Sequence, residues 1–420
     1  MQKEDTKNKY DVAVIGAGPA GMMTAIQSAR KGLRVVLLEK NKQLGKKLLL
    51  TGGGRCNFTN AEFNLKNLVA NYHNGEFLFH AFSVFGPKET ITFFEELGVK
   101  TKTEAGKRVF PASDDASELL EALKKELEKL GVKILYNSEV TDFNFKNNKI
   151  TKIILKDGEV SAKKYVLATG GKSYKQTGSD GFGYKLAEKL GHTVVTPSPA
   201  LCPIIIKEEW IKDLQGISLK NIKINGEAGD PPSRKASEGQ EVMFTHFGIS
   251  GPAVLNISAN LPAKISLDLF PDLNQEEVLK SFEELLQKYP RQTIKNILCQ
   301  IAPERFVEVF LVILEKSNPP SRNASAWRGK IGNNLSKIEK TLIIKNLKNF
   351  EMTVEDVQGW DNAMVTRGGV SLKEIDHKTM QSKILDNLFF AGEIIDADAK
   401  TGGFNLQLCW TTGHMAGYCI

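Results

Sequence analysis

The sequence predicts an α/β fold with a parallel sheet, interrupted by an all-β segment and a helical segment. An apolar, β-branched run at residues 10–15 leads through a glycine-rich turn into a helical pattern and a second apolar strand at 35–38. A later apolar run at 165–168 has the composition of a buried parallel strand. From Pro197 the chain changes to closely spaced prolines and short alternating runs, which favour an all-β insert.

Length and composition restrict the class of protein. The chain has 420 residues, which predicts two or three domains. Hydrophobic residues make up 41% and charged residues 25%, as in globular proteins. The apolar run 12–15 is far shorter than the roughly 18 residues of a membrane helix, and the polar start lacks the apolar core of a signal peptide. We therefore expect a cytoplasmic protein without a membrane partner.

Cysteine usage and charge narrow the possible partners further. The five cysteines, Cys56, Cys202, Cys299, Cys409 and Cys419, are odd in number and form no Cys-x-x-Cys pair, which argues against a disulfide framework and a metal site. The net charge of +7 comes from 56 Lys+Arg against 49 Asp+Glu, a mild excess. Because long basic clusters and aromatic-interleaved patches are missing, no nucleic acid partner is expected. Oligomeric state is left open.

The pattern along the chain divides it into four segments. Residues 1–195 and 346–420 are predicted to form one domain, and two inserted segments lie at 196–272 and 273–345. Strands at 133–136, 139–145 and 150–156 are predicted to form a meander in the first segment. The helical insert is predicted from the periodicity at 276–289, 291–300 and 305–314, with a break at 317–321, and residues 226–239 are expected to form a loop.

A dinucleotide-binding fingerprint lies between the first two strands. Gly16-Ala17-Gly18-Pro19-Ala20-Gly21 follows a strand and precedes a helix, and Glu39 ends the next strand. The first glycine permits a tight turn, the second lets the backbone approach a pyrophosphate, and the third permits close helix–strand packing. The helix N-terminus adds roughly half a positive charge. Glu39 is placed to accept hydrogen bonds from the adenosine ribose.

Two later segments distinguish FAD from NAD. Residues 165–171 (YVLATGG) resemble the second glycine turn of glutathione-reductase-type FAD domains. Residues 388–393 (LFFAGE) resemble the C-terminal element that places an acid on the flavin ribityl chain, with Glu393 where aspartate is more usual. Nicotinamide enzymes have no need for this last element. The sequence therefore predicts a Rossmann-type, glutathione-reductase-like FAD-binding domain.

Three further motifs resemble one flavoprotein family. Residues 51–60 (TGGGRCNFTN), 245–253 (THFGISGPA) and 401–407 (TGGFNLQ) are similar to the aminoacetone-oxidase-like flavoproteins, and the resemblance runs from about Tyr10 to the end. Members are labelled NAD(P)/FAD-dependent oxidoreductases and include amine oxidases and bile-acid-type enone reductases. The resemblance implies an FAD domain interrupted by a β-barrel and a small helical subdomain.

The motifs together assign a set of cofactor-binding residues. Lys46 and Lys47 can offset the pyrophosphate charge, or else are solvated lysines. The glycines at 52–54 let the backbone pass close to a flat ring, and those at 402–403 open a helix whose N–H groups would face the flavin N1/O2 region. The predicted cofactor-binding residues are Gly16, Gly18, Pro19, Ala20, Gly21, Glu39, Lys40, Gly45, Lys46, Lys47, Gly53, Gly54, Arg55, Asn57, Val140, Thr169, Gly170, Gly171, Gly392, Glu393, Gly402, Gly403, Phe404 and Asn405. The glycine-rich segment 178–183 has the wrong spacing for a second nucleotide site and is expected to close over FAD.

No acid–base pair is evident, so the catalytic residue stays unknown, with Arg55, Cys56 and His246 as candidates. His246 can exchange protons near neutral pH, although a lone histidine is more often structural. Cys56 has no nearby partner cysteine, and a packed side chain beside the flavin is the alternative. Arg367 departs from the residue expected in its loop, and a role in binding substrate charge is a hypothesis. The insert is expected to cover the flavin, with His246 or its neighbours at the entrance.

These features predict an FAD-dependent oxidoreductase that transfers hydride through flavin N5 to or from a small organic substrate. A reductase using NAD(P)H as a transient co-substrate is preferred. The alternative within the same class is an amine oxidase of the aminoacetone type that uses O2. Two hypotheses from other classes stay open, a flavin-binding protein without turnover and an FAD-dependent RNA-modifying enzyme.

Overall fold

The computed structural model describes residues 10–226, 240–317 and 327–420. Nearly all of the predicted loop 226–239 and of the predicted break at 317–321 lies outside these residues. The chain forms two compact units. The first contains the described residues up to Ala200 and those from Trp360 onward, and the second runs from Leu201 to Gly359.

Strands and helices alternate through the first unit, whereas the second unit begins with strands and continues with helices. In chain order, the strands are β1 (Tyr10–Ile15), β2 (Val35–Leu38), β3 (Thr59–Asn60), β4 (Thr101–Glu104), β5 (Arg108–Pro111), β6 (Lys133–Leu135), β7 (Val140–Lys146), β8 (Lys149–Leu155), β9 (Gly158–Val160), β10 (Ala162–Leu167), β11 (Val194–Ala200), β12 (Ile204–Ile206), β13 (Ser218–Gly226), β14 (Gln240–Phe244), β15 (Gly248–Ser250), β16 (Lys264–Asp268), β17 (Phe350–Val357), β18 (Val365–Val370) and β19 (Leu388–Phe390). The α-helices are α1 (Pro19–Arg30), α2 (Leu65–Val69), α3 (Phe79–Val84), α4 (Pro87–Glu96), α5 (Ala116–Lys129), α6 (Phe182–Lys189), α7 (Pro252–Ile257), α8 (Gln275–Lys288), α9 (Ile294–Leu298), α10 (Glu304–Ser317), α11 (Lys337–Lys348) and α12 (Phe404–Cys419).

A parallel sheet in the order β19-β10-β1-β2-β6 forms the centre of the first unit. Val12, Ala13 and Val14 of β1 are fully buried, because the sheet is covered on both faces. This burial explains why β1, β2 and β10 are continuous apolar runs in the sequence. The sheet confirms the predicted α/β fold of the Rossmann type.

Helices α1 and α12 cross closely against this sheet. A Cβ atom at Gly413 would lie 2.4 Å from the carbonyl oxygen of Ala20, so only glycine allows the two backbones this approach. Thr24 Oγ1 donates to the Gly413 carbonyl at 3.0 Å and fixes the crossing. The last helix of the chain is thereby joined to the first.

The predicted meander of three strands is wrong in its membership. β6 pairs in parallel with β2 and completes the central sheet. β7, β8 and β9 form a separate antiparallel sheet instead. Asn147 and Asn148 adopt left-handed backbone angles, with φ of 49° and 57°, and make the tight turn between β7 and β8. Local sequence identifies this hairpin but not the distant partner of β6.

The second unit contains a closed barrel in the order β12-β15-β14-β13-β16-β17. β17 pairs with both β16 and β12 and so closes the barrel. Its buried residues Phe350, Met352 and Val354 alternate and point into the core of the second unit. The contact division consequently falls after Gly359, whereas the sequence pattern places the start of the last segment at 346. Helices α8 to α11 contribute to the same core as the barrel strands.

Candidate cofactor-binding site

A deep cleft opens at the carboxyl ends of β1, β2, β10 and β19 in the first unit. It contains about 1330 Å³ of empty space, its open mouth included, which exceeds the roughly 300–1,000 Å³ of a common small-ligand pocket. Ligands of open parallel sheets bind at this edge. The predicted residues that line the cleft are Gly16, Gly18, Pro19, Ala20, Glu39, Lys40, Gly45, Lys46, Lys47, Val140, Thr169, Gly170, Gly392, Glu393 and Asn405.

The three glycines of the first turn have different surroundings. A Cβ atom at Gly16, where φ is +99°, would lie 2.5 Å from the Ala168 carbonyl oxygen, and one at Gly21 would lie 1.8 Å from the Gly16 carbonyl oxygen. Both glycines are therefore required by the chain itself. A Cβ atom at Gly18 would meet nothing within 4 Å. Gly18 thus borders open space in the cleft, where a ligand can approach the backbone.

The N-terminus of α1 is available to an anion. Gly18 is its N-cap and makes no side-chain capping hydrogen bond, and Pro19 occupies the first turn. The N–H groups of a first helical turn have no acceptor within the helix. Their dipoles favour negative charge, as in other phosphate-binding helices. The arrangement fits a pyrophosphate.

Glu39 is held rigidly at the end of β2. Its Oε2 accepts from the Ala17 N–H at 3.0 Å, and its Oε1 accepts from the Asn41 N–H and Nδ2 at 2.8 and 2.7 Å. Only 7% of the residue is exposed. The carboxylate is therefore fixed beside the glycine turn, next to the cleft that it lines.

The turn after β10 contains a polar atom without a partner. Thr169 Oγ1 is buried and makes no hydrogen bond within the part of the chain that is described. A Cβ atom at Gly183 would lie 1.9 Å from this oxygen, so a glycine is needed there. An unpartnered hydroxyl in a cleft wall is costly unless a ligand satisfies it. The residues present therefore fit a polar, phosphate-bearing cofactor such as FAD.

Two lysines of the cleft pair with carboxylates. Lys40 Nζ lies 2.8 Å from Asp180 Oδ2, and Lys47 Nζ lies 2.8 Å from Glu393 Oε2. The second pair is less exposed, with 22% and 14% of the two side chains accessible. Lys46 Nζ makes only long contacts, to Asn41 Oδ1 at 3.4 Å and the Gln176 carbonyl at 3.5 Å. The lysines predicted to offset the phosphate charge therefore differ in how firmly they are held.

The remaining predicted residues are not among those that line the cleft. They are Gly21, Gly53, Gly54, Arg55, Asn57, Gly171, Gly402, Gly403 and Phe404. Arg55 forms ion pairs with Glu104 and Asp114, and its guanidinium lies 4.2 Å from the centre of the Phe110 ring. With its amide oriented to satisfy its neighbours, Asn57 accepts from the Gly403 N–H at 3.0 Å. These residues bind one another beside the cleft, where Thr51 and Asn405 do line it.

The candidate catalytic residues are dispersed. Cys56 is fully buried, and burial raises the pKa of its thiol to about 12. A neutral, packed thiol is therefore favoured over a thiolate nucleophile at this position. His246 is exposed between β14 and β15 of the second unit. Its predicted place at the entrance of the site stays a prediction.

Arg367 is paired with a buried acid. Its Nε lies 3.1 Å from Asp398 Oδ1 and its Nη2 lies 3.2 Å from Asp398 Oδ2, in a two-point contact. Asp398 is 3% exposed. The guanidinium therefore stabilises a buried carboxylate. No group of His, Cys, Asp and Glu suited to a metal ion occurs within the described ranges.

Sequence reasoning missed several residues of the cleft wall. Met364 and Val365 come from β18 and the loop before it, and Leu406 and Cys409 come from α12. Only the three-residue spacing of Leu406 and Cys409 on the terminal helix offered a signal. The segment 178–183 does contribute to the wall, through Gly178, Ser179, Asp180, Phe182 and Gly183.

Comparisons with known proteins cover nearly the whole chain. A family model described as the HI0933-like protein Rossmann domain matches residues 10–419. A 3-dehydro-bile acid delta(4,6)-reductase of Clostridium scindens is 33% identical over 97% of this chain and 98% of its own. A ribosomal RNA dihydrouridine synthase of Haemophilus influenzae is 31% identical over 97% of each.

The fold is also found among solved structures. A 3-ketosteroid-delta4-(5alpha)-dehydrogenase from Rhodococcus jostii RHA1 superimposes with a TM-score of 0.53 at 17% sequence identity, over 99% of this chain and 98% of that one. This similarity shows a shared fold. Within the described residues, no helix has the length and apolar character needed to cross a membrane.

Proposed function

The chain belongs to the HI0933-like Rossmann family of FAD-dependent oxidoreductases, and from this premise we propose that it reduces a carbon–carbon double bond conjugated to a carbonyl group, with NAD(P)H as the electron donor. The family resemblance and the enzyme class predicted from the sequence are confirmed. The substrate and the electron donor are the proposed part.

The observation that carries the proposal is the cleft at the carboxyl edge of the sheet. The uncapped α1 N-terminus and Gly18 would hold the pyrophosphate, and Glu39 would accept from the adenosine ribose. Thr169, with its unpartnered hydroxyl, would complete the polar wall. Bound flavin supplies the two-electron hydride chemistry. The chain's own residues orient the cofactor and exclude water from its inner side.

The reaction class is inferred from what two relatives have in common. One is named a delta(4,6)-reductase of a 3-dehydro-bile acid and the other a dihydrouridine synthase, and they match this chain to a similar degree. In both names the product has gained two electrons at a carbon–carbon double bond that is conjugated to a carbonyl group. Neither name describes oxidation of an amine. Reduction of an electron-poor double bond is therefore the chemistry that both relatives support.

The second candidate is uridine in ribosomal RNA as the substrate. The dihydrouridine synthase relative supports it, and a net charge of +7 is compatible with binding a polyanion. The sequence analysis did not expect a nucleic acid partner, and this relative reopens that possibility. A small enone and a uracil ring present the same conjugated group, so the two candidates differ in what surrounds it.

Anaerobic stopped-flow spectroscopy tests the proposal. We expect NADH or NADPH to bleach the flavin absorbance, and a 4-ene-3-ketosteroid or an unmodified ribosomal RNA transcript to restore it. Recovery with the steroid alone favours the small substrate, and recovery with RNA alone favours the second candidate. No bleaching by either nicotinamide, together with rapid bleaching by a small amine and peroxide formation in air, would replace the reductase with an amine oxidase.

The identity of the cofactor is tested separately on the purified protein. We expect heat to release FAD, because the glycine turn and Glu39 face the adenosine half of the cleft. Chromatography of the released chromophore distinguishes FAD from FMN. Release of FMN alone, or failure of the apoprotein to bind added FAD, would contradict the assignment of the cleft.

A further inference from the structure

Lys47 and Glu393 form a locked pair inside the cleft. Lys47 Nζ donates to Glu393 Oε2 at 2.8 Å and to Ser173 Oγ at 2.7 Å. An ammonium group has three donors, so these contacts leave one N–H of Lys47 for another acceptor. Lys47 lines the cleft, and 22% of its side chain is exposed. The remaining N–H can therefore serve a ligand.

Glu393 has little acceptor capacity left for a ligand. Its Oε1 accepts from the Thr366 N–H at 2.8 Å, and its Oε2 accepts from the Gly171 N–H at 3.3 Å as well as from Lys47. The Ser173 hydroxyl lies 3.4 Å from Oε1. A carboxylate offers about four lone-pair sites. Protein donors thus occupy most of the sites that a ribityl hydroxyl would need.

The loop that carries Lys47 is attached to the glycine turn. The Gly45 N–H donates to the Ala17 carbonyl at 3.0 Å. Gly392, next to Glu393, lies against α1, since a Cβ atom there would be 2.7 Å from Ala20 Cβ. Both members of the pair therefore belong to segments that touch the turn and the helix N-terminus. An anionic group bound at that N-terminus would be near the Lys47 ammonium.

We propose that Lys47 is the cation that contacts the phosphate groups of the bound dinucleotide, and that Glu393 is a positioning residue which acts on the cofactor through Lys47. This inference rests on the proposed function, in which FAD occupies the cleft. It replaces the ribityl contact expected for Glu393 from the sequence. It also separates Lys47 from Lys46, whose Nζ makes only long contacts.

A double-mutant cycle on the apoprotein tests the proposal, with dissociation constants for FAD and riboflavin measured by flavin fluorescence. Lys47→Met is expected to weaken FAD binding about tenfold or more, since a partly buried cation is lost. Its effect on riboflavin, which has no phosphate, is expected to be much smaller. Lys46→Met is the matched control and is expected to have the smaller effect on FAD.

Glu393→Gln is expected to shift the FAD dissociation constant in the wild-type background and to have no further effect once Lys47 is methionine. Equal effects of Glu393→Gln in both backgrounds would show that Glu393 binds the cofactor directly and would overturn the proposal. Equal weakening of FAD and riboflavin by Lys47→Met would overturn it too. Should riboflavin bind too weakly to measure, the FAD cycle alone decides.

A second variant keeps the test valid if Glu393→Gln fails to fold. Ser173→Ala removes the other acceptor of the Lys47 ammonium and is expected to follow the same pattern, with an effect only where Lys47 is present. Failure of the wild-type apoprotein to bind FAD would contradict the proposed function. Wild-type binding with strictly additive variants would contradict only the role given to the pair.

Discussion

Two glycine-rich segments of the first unit use glycine for different reasons. In the turn 16–21, Gly18 has an ordinary φ of −79° and borders open space in the cleft. In the segment 52–54, all three glycines adopt left-handed angles, with φ of 59°, 68° and 90°, and none of them lines the cleft. Glycine is needed for space in the first segment and for backbone conformation in the second.

The difference teaches how such segments are to be interpreted. The first lies between a buried strand and a helix, so its backbone N–H groups point out of the helix end toward a ligand. The second lies in a short 3-10 segment, Leu48–Gly54, whose next residues bind other parts of the same unit. A run of glycines alone does not distinguish these cases. The element that follows the run does.

The largest effect is expected from Gly18→Val, which tests the first half of the comparison. The valine side chain would enter the open space and block the approach of a pyrophosphate, without meeting protein atoms. We expect FAD affinity to fall by about 100-fold or more, with little change in the thermal unfolding of the apoprotein. Full FAD occupancy in this variant would show that the turn is not the phosphate site.

Gly16→Ala is the matched control in the same turn. Its Cβ atom would lie 2.5 Å from the Ala168 carbonyl oxygen at a φ of +99°. We expect the apoprotein itself to lose about 2 kcal/mol or more of unfolding free energy. Gly18→Val should therefore act on the cofactor and Gly16→Ala on the fold.

Gly403→Ala is expected to have the next largest effect and tests whether the second glycine region is structural. Its Cβ atom would lie 2.2 Å from the Thr59 carbonyl oxygen, and φ is +96°. We expect a loss of about 2–4 kcal/mol in the unfolding free energy of the apoprotein, measured by urea denaturation. Gly53→Ala, at a φ of +68° with nothing within 4 Å, should cost only about 1–2 kcal/mol.

The sequence predicted local features well because they depend on neighbouring residues. The bounds of β1 and β2 follow from continuous apolar runs, and the helices α4, α5 and α8 lie within one residue of their predicted positions. Pairing between distant segments could not be predicted in this way. β6 joins β2 of the central sheet, and β17 closes the barrel rather than beginning the last segment of the first unit.

The same limit applies to the site. Residues of the cleft that follow a strand in sequence, such as Gly16, Glu39 and Gly170, were accessible to motif analysis. Met364 and Cys409 line the cleft through tertiary packing and belong to no motif. Asn57 belongs to a motif, yet its partner is a backbone N–H more than 300 residues away, at Gly403.

Asn57→Ala is expected to have a moderate effect and tests the link between the two glycine regions. The variant removes the acceptor of the Gly403 N–H and the donors to the carbonyl oxygens of Thr59 and Val109. We expect a loss of about 1–3 kcal/mol in unfolding free energy, because buried backbone groups lose their partners. Asn64→Ala, which removes an N-cap from the short helix α2, should cost no more than about 1 kcal/mol. Equal losses in the two variants would contradict the proposed link.

Arg55→Ala is expected to have the smallest effect and asks whether the second glycine region also touches the cofactor. Arg55 is paired with Glu104 and Asp114 near the surface, so its removal should lower the melting temperature slightly, and less so in high salt. Arg55 holds the pKa values of both carboxyls below their ordinary values of 4.5 and 3.8, for Asp114 together with Lys102. The stability that the pairs contribute is therefore complete above about pH 4.5 and is lost as the pH falls through the lowered folded values. The difference in melting temperature between wild type and variant should shrink over that acid range, while the FAD dissociation constant at neutral pH stays nearly unchanged. A large rise in that dissociation constant, with an unaltered melting temperature, would instead place Arg55 on the flavin, as its motif predicts, and would end the contrast between the two glycine segments.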